Sequence, residues 1–209
     1  MQRITVVKGD ASDSAAIKRA ILDNNCDALV NTAGMASVAP WGSSDLPAIF
    51  KAVADAAVEA GRGKKAPLRA WFLGGLGIMD IPGTNTMFSN FVPIYLAHRE
   101  DYHYVSSLPA GAIDWSILCP SVMTPESTDF SVPTKPLSRK LIGNADTPPL
   151  WQKPWAASIP LLGSVMAIGT NASRYNTTLE QNADFIARDI ASGDRQYIGK
   201  RVGTIQEGA

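Results

Sequence analysis

Apolar positions along the chain alternate between two periods, and the changes of period mark out the elements. Residues 4–7 are a short β-branched run closed by Gly9-Asp10, which predicts a strand and its exit turn. Asp13 or Ser14 caps a helix running to about Asn24, with Ile17, Ala20 and Ile21 on its inner face. A second strand at 27–30 ends in the turn Asn31-Thr32-Ala33-Gly34. Leu46, Ile49, Phe50, Val53, Ala57 and Ala60 then recur at helical spacing, and Gly61 is a natural stop. Residues 68–73 read as a buried strand ended by Gly74-Gly75-Leu76-Gly77. Pro93 suits the first turn of a helix continuing to about Leu108, and 113–118 is a further strand closed by Cys119-Pro120.

From 124 to 169 the chain is rich in Pro and Ser and poor in periodicity, as lids and binding segments are. Thr178-Leu179-Glu180-Gln181 is a capping box, and the helix after it buries Leu179, Ala183, Ile186 and Ile190 before ending near Gly193. Residues 197–205 read as a last strand. Strand and helix therefore alternate, which argues for a parallel sheet with helices on both faces. Ligands bind such sheets at the carboxyl ends of the strands. The candidate site residues are those just after each strand: Gly9-Asp10, 31–35, 74–77 and 119–123.

The length of 209 residues suits a single domain: 1–123 a sheet core, 124–170 an irregular lid or substrate segment, and 171–209 a closing helix and strand. A formal net charge of +0 leaves no electrostatic footprint for nucleic acid. Cys26 and Cys119 cannot build a disulfide framework, so a reducing, cytoplasmic setting is the default. The longest uncharged stretch, 154–173, contains Pro160, Gly163, Gly169 and several serines and is too broken for a membrane span. The basic loop at 62–67 reads as a solvated connection. His98 and His103 lack companion ligands for a metal, and both read as exposed helix residues. No G-x-S-x-G elbow occurs, which leaves an α/β-hydrolase without its nucleophile motif. Trp151 and Trp155, with Met123 and Met166, either line an apolar pocket for a flat aromatic substrate or plug the open end of the sheet.

Three stretches in the expected order, 6–13 (VVKGDASD), 27–35 (DALVNTAGM) and 113–120 (IDWSILCP), together with the tail at 182–187 and 198–203, resemble the atypical short-chain dehydrogenase/reductase superfamily. The similarity is greatest to its NmrA-like members and to the averufin oxidase-type enzymes of fungal aromatic-polyketide pathways. The resemblance implies an NAD(P)-binding Rossmann-like, doubly wound parallel sheet that takes NADP or NAD. It implies that Asp10 lies near the adenine and that Asn31, Ala33 and Gly34 run along its ribose. It places the nicotinamide near Cys119, Pro120 and Val122, with Gly74 or Gly75 where the family has a serine. Tyr95 and Arg99 match the family's Tyr and Lys four residues apart. Read from the residues alone, Gly9-Asp10 and Ala33-Gly34 are equally well turns, Tyr95 a packing tyrosine and Cys119 a buried strand-end thiol.

The family's G-x-x-G-x-x-G cradle is absent, and Gly75-Leu76-Gly77 does not open a helix. The chain is expected to be N-terminally truncated by one strand-helix-strand unit, roughly 30 residues, which weakens cofactor binding and leaves an open edge prone to homo-oligomer formation. The expected function is NAD(P)H-dependent oxidoreduction of a small aromatic, polyketide-like substrate. The alternative is a non-catalytic NmrA-like module binding a dinucleotide or a partner, or a remnant of such an enzyme.

Overall fold

The computed structural model describes residues 4–38, 42–127, 137, 139–155, 159 and 162–208. Helix α1 (Ser14–Asp23) starts where the extended Asp13 accepts a hydrogen bond from the Ala16 amide at 3.0 Å. It leads into β1 (Ala28–Asn31), then α2 (Leu46–Gly61) and β2 (Arg69–Leu73). Helix α3 (Ala97–Ser107) and β3 (Asp114–Leu118) follow. Strands β1, β2 and β3 pair in parallel, with Phe72 opposite Ile117 and Leu73 opposite Leu118.

After β3 come β4 (Met123–Thr124), β5 (Leu141–Ala145), α4 (Leu162–Ala172), β6 (Thr177–Thr178), α5 (Leu179–Ser192) and β7 (Lys200–Gln206). The sheet order is β1-β2-β3-β7-β5; β7 is parallel to β3, and β5 runs antiparallel along β7. Strands β4 and β6 form a separate parallel pair.

Alternation along the strands divides the core. Ala70, Phe72, Ile117 and Cys119 join Phe50, Val53, Ala54 and Ala57 of α2 and Val105 of α3 on one face. Trp71, Leu118 and Val202 join Phe185 and Ile186 of α5 on the other. Ala54, Ala56, Ala57 and Ala60 of α2, with almost no exposed surface, let that helix lie close against the sheet.

The expected strand at 4–7 does not form. Ile4 and Val6 are 82% and 87% exposed, and no described strand lies beside them to complete a ladder. The stretch read as irregular holds α4 and β5. Strand β5 carries Gly143 and Asn144, poor strand formers, and forms through its pairing with β7 rather than its own propensity. Gly143 is needed there, because a Cβ would fall 2.6 Å from the Phe185 ring and 2.7 Å from the Tyr197 hydroxyl. Helix α3 begins at Ala97 instead of Pro93, since Tyr95 adopts φ +52°, outside the helical region.

The capping box of α5 is present, with Gln181 N donating to Thr178 Oγ1 at 3.1 Å and Thr178 N to Gln181 Oε1 at 3.0 Å. Its buried face differs from the apolar pattern. Leu179 and Ala183 are exposed, while Asn182 and Asp189 are buried. Asp189 accepts from Arg69 Nη2 at 2.6 Å and from Trp71 Nε1 at 2.8 Å, so the helix docks on β2 through a charge rather than an aliphatic side chain. Among the described residues no helix is long and apolar enough to cross a membrane.

Removing one partner of a buried ion pair strands the other charge. Asp189→Ala is therefore expected to cost about 3 kcal/mol in urea unfolding. Asp184→Ala, which breaks the exposed pair with Arg188 at 2.8 Å, should cost under about 0.5 kcal/mol. Equal costs would show that the Arg69–Asp189 pair does not hold α5 to the sheet.

Candidate functional site

The pairing of β2 and β3 continues beyond both strands. Gly74 N donates to Leu118 O at 2.8 Å, and Leu76 N to Pro120 O at 2.9 Å. These bonds bring Gly74, Gly75 and Pro120 together at the carboxyl edge. Gly74 has no room for a side chain, since a Cβ there would lie 2.6 Å from Ile117 Cγ2. The hydroxyl that the family carries at this strand end therefore cannot sit at position 74.

The segment before α3 forms the next wall. Tyr95 N approaches Val38 O at 3.4 Å, which ties it to the loop after β1. In that loop the buried Asn31 accepts from Ala33 N at 3.1 Å, and Gly34 turns the chain at φ +101° against Leu46. Asn31 and Ala33 thus hold each other in a turn, while Gly34 is exposed.

Tyr95 is 42% exposed and precedes the helix, so it and Arg99 do not share one helical face as the spacing suggested. Neither side chain hydrogen-bonds to a described residue, which leaves a phenol and a guanidinium free at this edge.

The segment after β3 has two characters. Cys119 is fully buried, its amide bonded to Val202 O at 2.8 Å, and burial pushes its thiol up to about 12. Pro120 is buried as well. Neither side chain is open to a ligand, and Pro120 contributes only its carbonyl to the loop. Val122 is 55% exposed, and its backbone is engaged by Asn176 and Thr177.

Asp10 lies elsewhere. Its carboxylate accepts from the amide and hydroxyl of Ser12, both at 2.8 Å, and these bonds hold it below the usual carboxylate range. It borders a groove of about 650 Å³ between residues 5–11, α1 and the outer side of β1, walled by Ile17, Ile21 and Leu29. That groove includes none of the strand-end residues named above. It is open and mostly apolar, with Thr5, Lys8 and Asn24 beside Asp10 in its lining.

Trp151 is stacked between Phe88 at 5.2 Å and Tyr175 at 6.4 Å, so it plugs the core and is not free to receive a substrate ring. Trp155 is 88% exposed.

His98, expected to be an exposed helix residue, is instead largely covered. Its side chain is 14% exposed and lies against Gly75, with Cδ2 3.2 Å from where a Cβ would be. Asp101, 2% exposed, approaches its Nδ1 at 3.4 Å. The available signal was the spacing His98-Arg99-Glu100-Asp101, one helical turn on one face.

The sequence as given holds no G-x-x-G-x-x-G turn of the kind that cradles a pyrophosphate.

No protein-family model matches the chain, and no curated protein matches it. Solved structures do. A Lactobacillus casei protein superposes with TM-score 0.58 at 15% identity, covering 98% of this chain and 79% of its own. The oxidoreductase ylbE from Lactococcus lactis gives 0.58 at 14% identity, covering 99% and 73%. A short-chain dehydrogenase/reductase from Veillonella parvula, solved in complex with NADP, gives 0.55 at 10% identity, covering 100% and 75%. The fold is thus the Rossmann-like α/β arrangement of these structures.

A thiol-specific alkylating agent checks the burial at the strand end. At pH 8 the native protein is expected to label at Cys26 and not at Cys119, and the unfolded chain at both. Rapid native labelling of Cys119 would place that thiol in the site.

Proposed function

We propose that this chain performs NAD(P)-dependent oxidoreduction of a carbonyl or hydroxyl group on a small aromatic substrate at the carboxyl ends of β2 and β3. The observation that carries the reading is the exposed Tyr95, which makes no side-chain hydrogen bond to a described residue, in the segment that enters α3 next to the Gly74–Gly77 turn of a Rossmann-like sheet. Bound there, a reduced nicotinamide supplies hydride. The chain's own groups bind and orient. The Arg99 guanidinium can hold a ribose or phosphate oxygen. The Tyr95 hydroxyl can donate to a substrate oxygen. Met35, Val38, Ile94 and Val122 are exposed apolar side chains in the same loops, and they offer surface to a flat ring.

A second reading, a binding module without turnover, draws support from Tyr95 standing outside α3 and from the missing pyrophosphate cradle.

Calorimetry with NADPH tests the first step. Heat of binding is expected with a dissociation constant of roughly 1 mM or tighter, about 4 kcal/mol; no heat at millimolar NADPH overturns the cofactor assignment. With an aryl ketone present, NADPH oxidation should be measurable, and Tyr95→Phe should slow it by about 100-fold with binding unchanged. NADPH binding without any turnover would leave the binding module as the correct reading.

A further inference from the structure

Four buried side-chain atoms near the strand end lack a hydrogen-bond partner among the described residues or are only loosely approached. They are Asp101 Oδ1 and Oδ2, His98 Nδ1 and Ser89 Oγ. Burying a carboxylate without donors is costly, and such groups are retained where they act on something. Burial pushes the Asp101 carboxyl above the usual range, the imidazole beside it opposes that shift, and Glu100 adds to it.

The ring of His98 has two unlike ends. Nδ1 is sealed and faces Asp101 Oδ2 at 3.4 Å. Nε2 makes no hydrogen bond to a described residue and is not among the sealed atoms. It lies 3.5 Å from where a Cβ on Gly75 would be. The imidazole thus fills the place of a side chain at 75, next to position 74, where no hydroxyl fits. Both glycines are accounted for: Gly74 by Ile117 and Gly75 by His98.

We propose that His98 is the hydrogen-bonding head of the strand-end site, with Nε2 presented to the oxygen of a carbonyl or hydroxyl ligand and Asp101 acting as the positioning residue behind it. The proposal rests on the strand-end reading of the site and requires no bound cofactor. A carboxylate at Nδ1 favours the tautomer with the proton on Nδ1, and this leaves Nε2 as an acceptor in the neutral ring and a donor in the imidazolium. One group can therefore meet an alcohol or a ketone, according to its protonation.

The two histidines make the test direct. Imidazole nitrogen NMR spectra of the full chain are assigned with His103→Gln, a change at an exposed position. In the free protein His98 is expected to show the Nδ1-protonated pattern and His103 the Nε2-protonated pattern of a solvated ring. Asp101→Asn should move His98 to the Nε2-protonated pattern. Millimolar acetophenone, the probe ligand, should shift His98 Nε2 saturably and leave His103 in place.

Gly75→Ala gives an independent check if Asp101→Asn does not fold. Gly75 has φ −145°, which alanine adopts freely, and its methyl would press on the ring at 3.2 Å. The acetophenone response at His98 should then be lost. An Nε2-protonated His98 in the free protein, or acetophenone moving the Tyr95 ring signals with His98 unmoved, overturns the proposal. Neither result bears on NADPH binding, which calorimetry measures separately.

Discussion

One buried guanidinium fixes the frame in which the strand-end residues sit. Arg201, on β7, is 6% exposed at its side chain. It donates to Ile78 O at 2.6 Å and to Asp80 Oδ2 at 2.6 Å, and its Nε lies 3.5 Å from Asp146 Oδ1. Its planar group stacks over the Tyr102 ring at 4.6 Å. A buried charge must find partners or be expelled, and a guanidinium presents its donors in a rigid fork. Here the fork reaches the turn after β2, the end of β5 and helix α3 from a single strand. Replacing it by apolar groups need not cost stability, but no apolar side chain would hold those four pieces in one geometry.

The site follows from that frame. With Ile78 and Asp80 held by Arg201, the short stretch from Gly74 to Gly77 has little freedom, and its bonds to Leu118 and Pro120 set its height at the sheet edge. Tyr102 under the guanidinium fixes the rotation of α3, and the same helix carries His98 and Asp101. On the opposite face Asp189 performs a matching task for α5 through Arg69 and Trp71. Polar anchors in this protein orient helices, and the apolar residues around them fill space.

Much of the architecture was legible because it rests on local chemistry. Asp13, the Thr178–Gln181 box and Gly193 mark helix ends by hydrogen bonds or backbone freedom that single residues determine. The run that became β2, buried through Ala70, Trp71 and Phe72, reads as an apolar stretch. What failed depended on partners. Residues 4–7 have strand composition and no neighbour, whereas β5 has poor composition and a good neighbour in β7. Strand-end logic named Gly74, Gly75 and Val122, which the fold leaves at the carboxyl edge, and also Cys119, which strand alternation turns inward as the reading from the residues alone expected. His98 read as an exposed residue because a lone histidine in a polar helix looks solvated, and only the fold sets it against Gly75.

The most direct test of this account is a backbone-amide NMR map of the whole chain titrated with NADPH. The account requires the shifts to fall on Gly75, Tyr95, His98 and Val122, with weaker changes through Asn31 to Gly34. Shifts confined to Gly9, Asp10, Cys26 and Leu29, around the groove beside β1, would contradict it and move the site to the other side of that strand.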